Sequence, residues 1–398
     1  MPFLLIYPLV FFVLFLRERG LKSGHLFVGI LFLYFIAGIA CCLESENARY
    51  DGRPFDFFSI VFHCVCLIGI IYPFKKYEKF RNCNIETIPN GILLGLTAFF
   101  LFCGYWGILE LAPQLNLASI VTDTQELREL FDENKGQDSY FSFFGSKYWT
   151  INLVLAFYYM RVSPKQWLIV ILLFGASTCY LFDGLRFAGR ECILKYAFVF
   201  LVLYYFVSGG IIPKYKKLIN GIIVVGGLMG LALFAIITFM RFDPSQVSQD
   251  SSVFSSLISY IGQGFVNFST VVDLFPGGLT HGTNVLPVLF GPEPSHIDTK
   301  GFDSKTFATT IGSWVKDMGI LGALILTIVY NALLRVVPSI RCNLFTMFYV
   351  AWAYEFFFSI LFFYNDVLNG SRLISLFCII MLDVFLRNTR NKTVKRAL

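Results

Sequence analysis

Cationic side chains stand at the boundaries of this sequence's long apolar runs, where they could hold an anion. Asp183-Gly-Leu-Arg186-Phe-Ala-Gly189-Arg190-Glu191 puts two guanidiniums in one tight turn, and Lys195 follows one helical turn into the next apolar run. Arg241 and Arg372 occupy two further boundaries. A guanidinium keeps its charge near lipid, and its planar fork matches phosphate oxygens. The alternative for the turn is an ordinary loop in which Asp183 and Glu191 pair with the arginines. A lysine inside an apolar run is costly and by default a functional candidate, unless its stem carries the ammonium out to the surface. Arg241, just before Asp243-Pro244, could equally cap a helix or form a salt bridge, and Arg372 could anchor a span at the interface.

Proton-moving groups are fewer. His281, in Gly277-Gly278-Leu-Thr-His281-Gly282, has the residue type to take a hydroxyl proton near neutral pH; a local hydrogen-bonding role is its alternative. Glu355 falls in the middle of an aromatic run with no cation close in sequence. It is therefore protonated, paired with another helix's Arg or Lys, or in a run that re-enters. Asp317 follows Lys316 ahead of Gly319 and Gly322, where a carboxylate suits a helix start and supports a site rather than acting as its catalyst. His25 and His63 show no partners. Glu293, His296 and Asp298 are metal-ligand types, but no second cluster accompanies them, so no metal site is assigned.

The elements that must position these groups are membrane spans. Hydrophobic residues are 56% of the chain and charged residues 15%, a membrane composition. Apolar stretches fall at about 2–16, 25–43, 55–74, 91–113, 148–160, 166–182, 192–212, 218–240, 318–334, 343–364 and 373–386, several of them shorter than the ~20 residues of a perpendicular span. Lys and Arg collect in alternate gaps (Arg17, Arg19, Lys22; Lys75, Lys76, Lys79, Arg81; Arg161, Lys165; Lys214, Lys216, Lys217; Arg335, Arg341) and in the tail. The positive-inside rule makes those gaps cytoplasmic, the amino terminus outer and the carboxyl terminus inner. The net charge of +6 is thus a juxtamembrane feature and not a nucleic-acid signal. No cleavable signal peptide is evident, and the long outer loops hold no Cys.

The expected fold is all-α and polytopic, with about eleven transmembrane helices. Residues 1–113 carry helices one to four, 114–147 a first long outer loop and 148–240 helices five to eight. A large outer loop follows at 241–317, then 318–398 with the last three helices and a basic tail. Loops of that length are usually functional, and they point to chemistry or binding at the outer membrane surface. Within the larger loop, Phe254, Ile258, Ile261, Phe265, Phe268, Val272 and Phe275 step by threes and fours opposite Ser252, Ser256, Ser259, Gln263, Asn267 and Thr270. That pattern predicts an amphipathic helix over 252–275, interfacial or re-entrant rather than spanning.

Tyr260-Ile-Gly-Gln-Gly264-Phe-Val-Asn267-Phe268, followed by Thr309-Thr310-Ile-Gly-Ser-Trp-Val-Lys-Asp317-Met-Gly319-Ile-Leu-Gly322, resembles the bacterial oligosaccharide repeat-unit polymerases, the Wzy-type O-antigen and capsule polymerases. Gly189-Arg190 before the seventh span resembles them too. The R-x10-G arginine pattern of some members is absent, because Arg186 and Arg190 are followed at that distance by Ala197 and Leu201.

The resemblance implies an inner-membrane glycosyltransferase of lipopolysaccharide or capsule biosynthesis. It would act on undecaprenyl-pyrophosphate-linked oligosaccharide amid membrane lipid, with a chain-length regulator protein as a further partner. No cofactor is implied, and metal is optional. The leaving pyrophosphate calls for cations: Arg186, Arg190, Lys195, Arg241 and Arg372. Tyr260 and Asn267 would meet acceptor or glycan. His281, Asp317 and Glu355 are the carboxylate and imidazole candidates for the catalytic centre. Glu44-Ser-Glu46 resembles the acidic first-loop motif of polyprenyl-dependent glycosyltransferases, with a solvated acidic turn as its alternative. The rivals are an O-antigen ligase, with overlapping signals, and a flippase or exporter of lipid-linked oligosaccharide, which would spread polar groups through mid-span. A membrane O-acyltransferase would want an Arg and His cluster at the cytoplasmic edge, which is missing.

Overall fold

A computed structural model of the chain describes residues 2–46, 55–115, 139–186, 189, 191–240, 253–279, 282–283, 309–335, 342–362, 377–378 and 380–381. These residues form helices α1 (Ile6–Gly20), α2 (His25–Glu44), α3 (Phe57–Ile71), α4 (Asn90–Leu111), α5 (Tyr140–Lys147), α6 (Trp149–Val162) and α7 (Trp167–Ser177). Helices α8 (Cys179–Leu185), α9 (Glu191–Val207), α10 (Pro213–Met240), α11 (Val253–Leu274), α12 (Thr309–Arg335) and α13 (Leu344–Phe362) follow. Among the described residues the extended pairing is a single bridge, Ile85 with Cys342.

Lipid offers no hydrogen bonds, so a spanning backbone must satisfy its own, and these apolar runs accordingly coil into helices. Among the described residues, six helical stretches are long and apolar enough to cross a membrane: His25–Glu44, Phe57–Arg81, Asn90–Gln114, Trp167–Leu185, Glu191–Gly210 and Thr309–Arg335. Their outward faces carry exposed apolar side chains, such as Leu321, Ile325 and Ile328 on α12 and Trp167, Leu168 and Ile171 on α7. The other side of α12 buries Ala323, Leu326 and Tyr330. Apolar faces of that extent suit lipid and not water. The protein is an all-α polytopic membrane protein.

The chain forms two compact units. The first holds residues Met1–Glu78, Ser251–Ser339 and Phe356–Leu398. In it α11 packs along α2 and against α3 and α12. Gly262 of α11 lies on the Ala40 carbonyl of α2, and a side chain there would push the helices apart. The second unit holds Lys79–Asp250 and Ile340–Glu355; α6 sits in it against α4, α7 and α9.

Four expectations change. The stretch 114–147 is not all loop, because Tyr140–Lys147 is helical. Ser139 caps that helix, and Glu110 Oε1 accepts the Ser139 N–H at 2.8 Å. Second, α12 starts at Thr309 rather than 318, and its first turns are buried among neighbouring helices. Third, the predicted span 148–160 is α6, whose residues from Asn152 to Met160 are all buried. At 14 residues it is about 21 Å long, short of the ~30 Å hydrocarbon core. Fourth, of the Glu44-Ser-Glu46 turn only Glu46 is solvated; Glu44 and Ser45 are buried at the end of α2. The predicted helix 252–275 is present as α11, and its residues from Gly264 to Ser269 are buried on the polar stripe as well as the apolar one.

Candidate functional site

Each unit gathers some of the chemistry-bearing residues. In the second unit, α7 and α8 meet at Thr178, and α8 ends in Asp183 and Arg186. The Gly189 N–H donates to the Gly184 carbonyl at 2.9 Å, and α9 starts at Glu191. Arg186 is buried; its Nη2 donates to Asp183 Oδ1 at 2.9 Å and its Nη1 to Gln114 Oε1 at 2.7 Å. One turn into α9, the Lys195 side chain is 1% exposed. It lies 3.5 Å from Glu355 Oε1 of α13 and 3.9 Å from Glu191 Oε1. Both distances exceed the roughly 2.7–3.2 Å of a good N–H···O bond, so these contacts are chiefly Coulombic. The Tyr180 ring centroid is 5.8 Å from the ammonium. Trp149 stacks on Tyr180 at 4.8 Å and on Tyr196 at 5.1 Å, making an aromatic wall beside the charges.

Of the alternatives for Glu355, pairing with another helix's lysine is the one realised. The Asp183–Arg186 pairing expected of an ordinary loop is also present. Arg186 and Lys195 thus arrive with carboxylates beside them, and an anion would share or replace those partners. Removing one member of such a buried pair typically costs about 3–5 kcal/mol, because the other charge stays buried.

In the first unit the two motif-bearing segments meet. Helix α12 is interrupted at Gly319, where φ is 75° and ψ −179°, a conformation essentially reserved for glycine. The break receives the turn after α11: the Ile320 N–H donates to the Pro276 carbonyl at 3.1 Å, and the Leu279 N–H to the Lys316 carbonyl at 2.7 Å. Gly278, at φ 84°, lies against Gly319, and a Cβ on either would come within 2.7 Å of the other segment's backbone. Asp317, fully buried, accepts the Gly282 N–H on Oδ1 at 2.8 Å. Asn267, Ser269, Thr309, Thr310, Ser313 and Lys316 are further buried polar residues of α11 and α12.

The structure therefore places Arg186, Lys195 and Glu355 in the second unit, and Asn267 and Asp317 in the first. Arg190, Arg241, His281 and Arg372, like the metal-type triplet Glu293, His296 and Asp298, lie outside the described residues. Tyr260 is on α11, with its side chain outside the described part.

One group escaped the sequence reading. His63, taken as having no partners, is fully buried on α3, with Nδ1 2.8 Å from the Tyr7 hydroxyl and Nε2 3.0 Å from Thr309 Oγ1. Thr309 heads a quoted motif, but neither Tyr7 nor His63 carries a local signal.

No family model, curated protein or solved structure matches the chain.

Proposed function

We propose that this chain polymerises polyprenyl-pyrophosphate-linked oligosaccharide repeat units at the outer face of a bacterial inner membrane, with its amino terminus periplasmic and its carboxyl terminus cytoplasmic. The observation that carries the reading is the Asp317–Gly282 hydrogen bond. It ties the segment after α11, the helix that carries the first motif, to Asp317 of the second motif on α12. Gly282 adjoins His281 in sequence, so Asp317 holds the chain one residue from the proposed base.

In the reaction, an acceptor sugar hydroxyl attacks the anomeric carbon of the donor. The new C–O bond forms as the bond to pyrophosphate breaks, and the hydroxyl proton passes to the base. The charge of the leaving polyprenyl pyrophosphate calls for cations, and Arg186, Lys195, Arg190, Arg241 and Arg372 are the candidates. Asn267 and Tyr260 orient the acceptor side. Asp317 supports the site by holding backbone, and Glu355 is a counter-ion of Lys195 rather than an acid or base.

A flippase is the second reading. The Lys195–Glu355 pair between α9 and α13 and the interrupted α12 favour it, since transporters use broken helices at their sites.

The test supplies the purified protein, in lipid nanodiscs, with a polyprenyl-pyrophosphate-linked repeat unit. Its variants are Asp317→Ala and the double variant Lys195→Met/Glu355→Leu, which removes the charge pair together. Wild type is expected to give a ladder of products, and each variant to lose it about 100-fold or more while the double variant keeps its fold. A ladder that survives both changes discards the site and keeps the polymerase. Absence of a ladder from wild type moves the assignment to the flippase or the ligase. Transport in proteoliposomes and an added lipid core acceptor would then separate those two.

A further inference from the structure

The Tyr7–His63–Thr309 chain joins α1, α3 and the start of α12 inside the first unit. All three side chains are buried. The imidazole lies flat on Phe268 of α11, with centroids 3.9 Å apart and planes inclined by 5°, and Phe265 packs edge-on to Tyr7 at 5.1 Å. Stacking fixes the ring plane, and the two hydroxyls then fix its rotation within that plane. A neutral imidazole donates from one nitrogen and accepts at the other. Tyr7 and Thr309 must therefore take opposite hydrogen-bonding roles, which links two hydroxyls from opposite ends of the unit's sequence.

Thr309 is also strained. Its φ is 61°, in the left-handed region that a β-branched residue rarely enters. Such a conformation persists only where the surroundings over-determine it. Here the hydroxyl 3.0 Å from His63 Nε2 also accepts the Gly312 N–H at 3.4 Å, at the first turn of α12. Thr309 is the first residue of α12, the helix that carries Asp317.

We propose that His63 is a positioning residue. Through Nε2 it holds Thr309 in its left-handed conformation, and this fixes the first turns of α12 and the placement of Asp317. The effect on turnover rests on the polymerase reading above; the effect on α12 does not.

Two amide substitutions separate this role from simple space-filling. The Asn side chain places its amide near the position of Nδ1, and the longer Gln side chain places its amide near that of Nε2. His63→Gln can therefore still hold Thr309, whereas His63→Asn can serve only Tyr7. Hydrogen–deuterium exchange over residues 310–316 of the full-length protein is the first readout, and kcat and KM of chain extension are the second. Exchange in His63→Gln is expected within about twofold of wild type, and about tenfold or more faster in His63→Asn. Turnover should follow, with kcat falling about tenfold or more in His63→Asn at unchanged KM. The double variant His63→Asn/Thr309→Gly should recover slow exchange, since glycine adopts this backbone without help.

Equal exchange in the Asn and Gln variants would overturn the proposal. So would a split in exchange with kcat unchanged in an active protein. If exchange splits but wild type itself extends no chain, the polymerase reading fails and His63 remains the holder of α12.

Discussion

A fully enclosed carboxylate stays ionised only if donors are built around it, and Glu18 of α1 is such a case. Burial pushes its carboxyl up, but the Lys75, Ser23 and Tyr72 hydrogen bonds and the Lys75 charge outweigh this, holding it at about 2 against an ordinary 4.5. Lys75 Nζ is 2.6 Å and the Tyr72 hydroxyl 2.7 Å from the carboxylate. The folded-state value is depressed, so the stabilisation is fully present above about pH 4.5 and is lost as pH falls from there toward 2. After screening at the half-exposed lysine, this is on the order of 2 kcal/mol. Thermal unfolding followed from pH 7 to pH 3 should show that loss in wild type and a flatter profile in Glu18→Gln; identical slopes would remove Glu18 from the account. Single residues were unevenly legible. Lys195 stood out because a charge in an apolar run is conspicuous, but its pairing with Glu355 needed the fold. His63 was misread because its partners lie 56 and 246 residues away in sequence, and no local pattern marks a tertiary hydrogen bond.

Helices were legible wherever long apolar runs dictated them, as in α2, α4, α9 and α13. The elements that depend on capping or on partners were not. Tyr140–Lys147 is too short and too mixed to announce itself, and it is a helix because Ser139 and Glu110 satisfy its first turn. The start of α12 was missed for a related reason: Thr309 to Met318 has charges and hydroxyls that read as loop until neighbouring helices are seen to bury them. Gly319 was legible as a glycine at a helix start but not as a break within a longer helix. Gly319→Ala puts a Cβ against the Pro276 and Gly277 backbone, 2.7 Å away, in a backbone conformation alanine avoids. A loss of about 3 kcal/mol or more is expected, read as a lower unfolding temperature in detergent. Gly91→Ala, with open space around its Cβ position, serves as the control and should change little. Equal effects would mean that the break in α12 is not what Gly319 provides.

The whole molecule is organised by its outward apolar faces, and tryptophans sample them. Trp106 and Trp167 are 45% and 57% exposed on those faces, whereas Trp149 and Trp314 are each 1% exposed. In single-tryptophan variants reconstituted with brominated lipid, the first two should be strongly quenched and the last two spared. Comparable quenching of all four would contradict the assignment of lipid-facing and enclosed surfaces. Polytopic architecture was therefore legible at this scale from hydropathy alone. The interleaving of the two units was not, since each is assembled from segments far apart in the chain.

The enclosure of α6 bears on how the protein is made. The ribosome delivers α6 before α7 and α9, two of the helices that will surround it. Asn152 in its first turn donates to the Phe100 carbonyl of α4 at 3.1 Å, and Arg161 closes its last turn. A short segment with these groups is a poor candidate for release into lipid by itself. Its enclosure is completed only by α7 and α9, both synthesised after it, so α6 reaches its packed surroundings later than its own translation.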